Sequence, residues 1–218
     1  MADAVRIRAY ARADRAAVRR LCGETALRGE PVDPLFSDRE VVADLLTRYY
    51  TDYEPAASWV AEQDGRVVGY LIGCLNTRRF RRLHAVAVVP QAVCCAIARG
   101  ALWRRETWRL LDAGLRTWRL SGVASPAIPR EYAAAHLHIN LDRQARGQHF
   151  GERLIAPFLR RAAAAQCAGV HASVRGDNSP ARRFFERLGF APVARTRVVW
   201  PAGVAMEAHE TIVYGKRL

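Results

Sequence analysis

Hydrophobic and polar positions alternate from the start of the chain: VRIRAY (5–10) predicts a strand. Behind it, Ala17, Val18, Leu21 and Cys22 recur at helical spacing with Asp14 placed to cap them, and Val41, Val42, Leu45 and Leu46 repeat that pattern behind Asp38. SWVAEQDGRVVGYLIGCL (58–75) predicts a hairpin, two β-rich runs turning at Asp64-Gly65. Residues 77–130 begin with RRFRR and continue through a helical stretch carrying Trp103, Trp108, Leu111, Leu115 and Trp118. They end in a loop punctuated by Pro126 and Pro129. The arginine cluster reads as a solvated loop edge, because no aromatic interleaving accompanies it. The tryptophan-bearing stretch reads as core or lid packing, with a lid or partner-binding surface beside an acceptor cleft as its functional form. AAHLHINL (134–141) then alternates Leu137, Ile139 and Leu141 with His136, His138 and Asn140, a strand with one apolar and one polar face. The remainder predicts an amphipathic helix over 152–166 with Pro157 kinking it or lying in its early turns, and a strand at 169–174. A helix capped by Asn178 or Ser179 and ended by Gly189 follows, then two final strands, VARTRVVW and HETIVYGKRL.

This alternation of elements, with half of 218 residues hydrophobic, describes a single α/β domain over 1–218, with no repeat and no linker. Charge adds little. A net charge of +13 favours anionic partners, yet Lys216 is the sole lysine, and an arginine excess of this kind also follows from codon usage. Five cysteines without Cys-x-x-Cys spacing suggest neither a disulfide framework nor a zinc site, and no metal is expected; buried reduced thiols are. The N-terminal twenty residues lack the apolar core of a secretory signal, and the run 85–98 is too short to span a bilayer, so a soluble cytoplasmic protein without a membrane partner is the expectation.

Candidate chemistry concentrates in RQARGQHFGERL (143–154), a glycine-bearing strand-to-helix turn. Unpaired amides at a helix N-terminus and the positive end of its dipole converge there, which suits an anion. The turn resembles the acyl-CoA loop of the GNAT acetyltransferase superfamily, Gln/Arg-x-x-Gly-x-Gly/Ala, with Gln144 and Gly147 in register and His149 where a small residue is usual. A second element of that family, Asn-x-x-Ala-x-x-Phe-Tyr-x-x-x-Gly-Phe, is met by Asn178, Ala181, Phe184, Gly189 and Phe190, with Phe185 in place of the tyrosine. More narrowly, EPAASWVAEQDGRVVGYLIG with AHLHINL resembles the acetyltransferase-like domains related to those attached to O-GlcNAcases. The likeness omits residues from about 83 to 130.

The resemblance implies a GNAT-like mixed, largely antiparallel sheet flanked by helices, with a helical insertion after the third strand. It implies a splay between the fourth and fifth strands for the pantetheine arm of acetyl-CoA, the co-substrate. Gln144, Arg146, Gly147, Gln148, His149, Phe150 and Gly151 would cradle the pyrophosphate, with Ile139, Asn140, Leu141, Asn178, Ala181, Phe184 and Phe185 completing the cofactor site. The implied activity is direct transfer of acetyl to an amine on a small molecule or peptide. His138 and His136 are the candidate bases, since imidazole titrates near neutrality, while their bland reading is a pair of hydrogen-bonded structural histidines. Phe185 cannot protonate a leaving thiolate, which leaves water, Tyr132 or Tyr214. The rivals are a non-catalytic acyl-CoA-binding or protein-interaction domain and, ranked lower, a nucleic-acid binder using the arginine-rich surface. A homodimer is admitted.

Overall fold

The structure, a computed structural model, describes residues 5–26, 29–33, 36, 38–121, 127–202 and 205–218. Pro126 of the expected loop lies outside them. The strands are β1 (Arg6–Ala9), β2 (Ser58–Gln63), β3 (Arg66–Cys74), β4 (Ala135–Leu141), β5 (Gly169–Arg175), β6 (Ala191–Ala202) and β7 (Ala205–Arg217). They form one sheet in the order β1-β2-β3-β4-β5-β7-β6, in which β4–β5 is the parallel pair and every other neighbour is antiparallel. Asp64 and Gly65 both take positive φ, 51° and 71°, as the tight turn joining β2 to β3 requires.

Helices cover both faces. On one face lie α1 (Arg15–Thr25) and α2 (Arg39–Arg48), where Val18, Leu21 and Cys22 meet Val60, Tyr70 and Ile72 of the hairpin. On the other, α6 (Phe150–Ala164) and α7 (Ser179–Arg187) press Leu154, Ile155, Phe158 and Phe185 against Leu71, Leu137, Val170 and Tyr214. The alternation in β4 therefore assigns its faces as expected: Leu137 and its neighbours point to α6, and the histidines to the side of α1 and α2.

The insertion between β3 and β4 is helical: α3 (Thr77–Leu83), a π-helical turn (His84–Val88), α4 (Val89–Ala98) and α5 (Arg105–Ser121). Several expectations are corrected here. RRFRR is a helix capped by Asn76, not a loop edge: Arg78, Arg79, Arg81 and Arg82 stay exposed while Phe80 packs on Tyr49, Tyr50 and His136. The helix running Thr77–Ala98 has the length and apolarity of a membrane span, longer than the run 85–98 had suggested. The tryptophans of the next stretch are not core. The helix α5 that carries two of them has a definite neighbour. It packs on β6 at the sheet edge, leaving Trp103, Trp108 and Trp118 exposed. Cys22, Cys74 and Cys167 are buried, but Cys94 is exposed. Asp14 does not cap α1 with its side chain; its carboxylate accepts the Ala11 N–H at 2.8 Å and binds Arg8, closing the turn before the helix. Asp38 does cap α2, accepting from Val41 N–H.

α1 and α2 are tied by Asp44, which is buried and accepts from Arg19 and Arg48, each at 2.7 Å. Burial alone would raise its pKa, but the two guanidiniums outweigh it and hold the carboxyl below its ordinary value. A group depressed in the folded state contributes stability above its unfolded pKa and loses it as pH falls through the folded one. Asp44→Ala should therefore lower unfolding free energy by about 3 kcal/mol at pH 7, because two half-buried guanidiniums lose their anion. Urea melts should show that deficit shrinking below about pH 4.

Candidate functional site

β4 and β5 pair at only two positions, Ala135↔Val170 and His136↔His171. Neither strand ends there. β4 continues along β3 to Leu141↔Gly69, and β5 continues along β7 to Arg175↔Thr211. The two part into a wedge, and the main-chain groups of β4 that would have met β5 are left for another partner.

The wedge opens toward the turn after β4. Asp142 shapes its first half, its carboxylate accepting the Gln144 N–H and its carbonyl the Ala145 N–H at 3.0 Å. The second half uses left-handed backbone: Gly147 at φ 76° and His149 at φ 59°. A methyl on Gly147 would meet nothing within 4 Å, so its φ and not crowding calls for glycine. The amides of Gly147, Gln148, His149, Phe150, Gly151 and Glu152 take no backbone acceptor among the described residues. His149, where a small residue is usual in the resemblance, turns its ring to solvent, 3.2 Å from Glu152 of the first helical turn.

Not all of the expected cradle offers donors. The Gln144 and Arg146 amides are used inside the turn, and the Arg146 guanidinium binds the carbonyls of Leu141 and Gly29. Gln148 spends its side-chain amide on the Gln144 carbonyl. The free donors are those from Gly147 onward.

The second motif meets the first in space. Asn178 caps α7, accepting from Ala181 N–H at 3.2 Å, and this directs Phe184 at the start of α6. A methyl on Gly151 would lie 2.8 Å from the Phe184 ring, so the absence of a side chain there lets the two helices close. Phe185 faces the core, 4% exposed and stacked on Tyr214 at 6.1 Å. The Tyr214 hydroxyl is committed to Glu186 at 2.7 Å and Arg182 at 3.3 Å, and the Tyr132 ring packs over Gly169 and Gly215.

The two candidate bases differ sharply. His136 is buried, and both ring nitrogens are engaged. The Thr77 hydroxyl donates to the Ala134 carbonyl at 3.1 Å and so accepts from His136 Nδ1–H at 2.9 Å, while Nε2 accepts the Tyr50 hydroxyl at 2.8 Å. Burial and the neighbouring imidazoles hold its pKa well below the ordinary value. Neither nitrogen is left free to take up a substrate proton without breaking a hydrogen bond. His171 behind it donates Nδ1–H to the Tyr132 carbonyl at 2.7 Å. His138, two residues along β4 on the same face, is exposed to water, with the Tyr50 ring edge-on at 5.6 Å and the His136 ring at 6.0 Å. Its surroundings push its pKa down, to about 4. The ring is a neutral imidazole at pH 7. Ile139 and Leu141 pack toward α6, and Asn140 is held by the Tyr70 hydroxyl at 2.7 Å.

Sequence reasoning missed Tyr50, Thr77 and Phe80, which set the histidine network. Tyr50 lies in a π-helical turn after α2 and Phe80 inside an arginine-rich string, and neither carries a spacing that points to β4. No group of three or more metal-ligating side chains occurs among the described residues.

Residues 113–190 match the model of the acetyltransferase (GNAT) family. The chain is similar to the solved structure of SsHAT, 26% identical, with 99% of this chain and 98% of that one covered at a TM-score of 0.70. It also shares its fold with yncA, an acetyltransferase-class protein of Salmonella typhimurium solved with its cofactor acetyl-CoA, at 15% identity, 99% and 95% coverage and TM-score 0.59. A third likeness is to the ribosomal-protein-S18-alanine N-acetyltransferase from Escherichia coli, at 13% identity, 98% and 94% coverage and TM-score 0.54.

Proposed function

We propose, on the premise that this chain belongs to the GNAT acetyltransferase family, that it transfers acetyl from acetyl-CoA directly to an amine. The observation that carries the reading is the wedge between β4 and β5, opening onto a turn of free amides with His138 on the strand beside it. The amides from Gly147 to Glu152 and the dipole of α6 suit a pyrophosphate, and the open main chain of β4 suits the amide groups of a pantetheine arm. His138, neutral at pH 7, is the base that takes the proton from the bound ammonium. His136 acts through Tyr50, whose ring abuts His138, and is a positioning residue. The amine nitrogen forms its bond to the acyl carbon as the carbon–sulfur bond breaks, and the nitrogen then loses its second proton to solvent to leave the neutral amide. Since Phe185 has no hydroxyl and that of Tyr214 is occupied, the thiolate takes its proton from solvent. That is feasible for a thiol with a pKa near the free cysteine value of about 8.5.

Those same two facts favour a second reading, an acyl-CoA-binding domain without turnover. Release of free thiol from acetyl-CoA over a panel of small amines, amino acids, aminoglycosides, amino sugars and peptide N-termini separates the two. Amine-dependent release supports the transferase; tight CoA binding with release no faster than the blank across the whole panel supports the binding domain.

A further inference from the structure

α5 carries its apolar residues on the wrong side for a monomer. Ala113 and Thr117 face β6, where the Thr117 hydroxyl accepts the Val199 N–H at 2.9 Å. On the opposite side, at intervals of three, four and three residues, stand Trp108, Leu111, Leu115 and Trp118, with exposures of 59%, 57%, 45% and 60%. Trp103, just before the helix, is 92% exposed. We propose that this stripe is the contact surface for a second copy of the same chain, two α5 helices packing antiparallel about a two-fold axis.

Three features point to a copy of itself. The order Trp-Leu-Leu-Trp with its spacing reads the same in reverse, so an antiparallel copy sets Trp108 against Trp118 and Leu111 against Leu115, an isologous match. The charges agree with that register. Asp112 and Arg116 pair within one helix at 2.8 Å, and the two-fold axis near residue 113 brings Arg116 of the second copy within about 3 Å along the axis of Asp112. Area is the third. A tryptophan carries on the order of 150–250 Å², so the three rings with Leu111 and Leu115 approach the roughly 800 Å² per partner of a standard interface. That exceeds the roughly 300–600 Å² of the largest patch on a typical monomer.

Two copies at +13 each repel at long range, so added salt should strengthen this association, whereas attraction of an arginine-flanked apolar helix to an anionic lipid surface weakens in salt. The test is sedimentation equilibrium on the full chain at low and high salt, for wild type, Leu115→Asp and Trp118→Arg, with circular dichroism confirming that each variant is folded. The expected result is a wild-type dimer tightened by salt, with dissociation constants at least about 30-fold higher in both variants. A monomeric wild type at about 50 µM in either salt, or a dimer that neither variant weakens, overturns the proposal. So does a monomer that floats with phosphatidylglycerol-containing vesicles but not with phosphatidylcholine alone, which would assign the stripe to a lipid surface.

Discussion

Gly147→Glu is expected to abolish measurable CoA binding in a chain that still folds. The new side chain has open space, since a methyl at that position contacts nothing within 4 Å. The strain of an ordinary residue at φ 76° amounts to roughly 1–2 kcal/mol, a cost a domain can carry. The binding site suffers more. A carboxylate would stand among the six free amides that suit a pyrophosphate, and like charges brought together cost several kcal/mol. Calorimetry should show at least about a 100-fold loss of CoA affinity, with a melting temperature lowered by only a few degrees. Equal affinity in wild type and folded variant would mean that the turn does not hold the pyrophosphate.

The paired substitutions His138→Ala and His136→Ala should separate a chemical role from a structural one. His138 has a water-exposed ring with no protein hydrogen bond to lose among the described residues, so its removal should leave folding and CoA affinity intact. Single-turnover rates with an accepted amine should fall by about 10²- to 10⁴-fold, the usual contribution of a general base. His136→Ala strands the Tyr50 hydroxyl and half of the Thr77 hydroxyl in a buried site, at a cost of about 1–3 kcal/mol, and a rate loss should accompany the stability loss. The pH dependence follows from direction. Both histidines have folded pKa values below the unfolded value of about 6.5, so the unfolded state binds protons first and stability declines as pH falls below that value. For the same reason the acid limb of kcat assigned to His138 should lie below pH 6.5. An unchanged rate in His138→Ala, or a limb above 6.5 that the substitution leaves in place, would remove His138 from the role of base.

What the sequence determined by itself was local. The period-two alternation in β4 assigned its faces correctly, because a strand's side chains must alternate and one side had to be buried. Asp64-Gly65 specified its turn and Asn178 its cap through short-range geometry that does not depend on the rest of the molecule. The two motifs around Gly147 and Asn178 were visible because each lies within a dozen consecutive residues. Tertiary structure decided everything that depends on which segments become neighbours. His136 and His138 are the same residue type on the same strand face. One is sealed by Tyr50, Thr77 and Phe80 from segments far off in the chain, and the other is left open to water. The wedge is likewise a relation between strands, since β4 and β5 each keep their other partner and part only from one another. The amphipathic pattern of α5 was legible, but a helical period states only that one side is apolar; burial of the opposite, small-residue side against β6 turned those tryptophans outward.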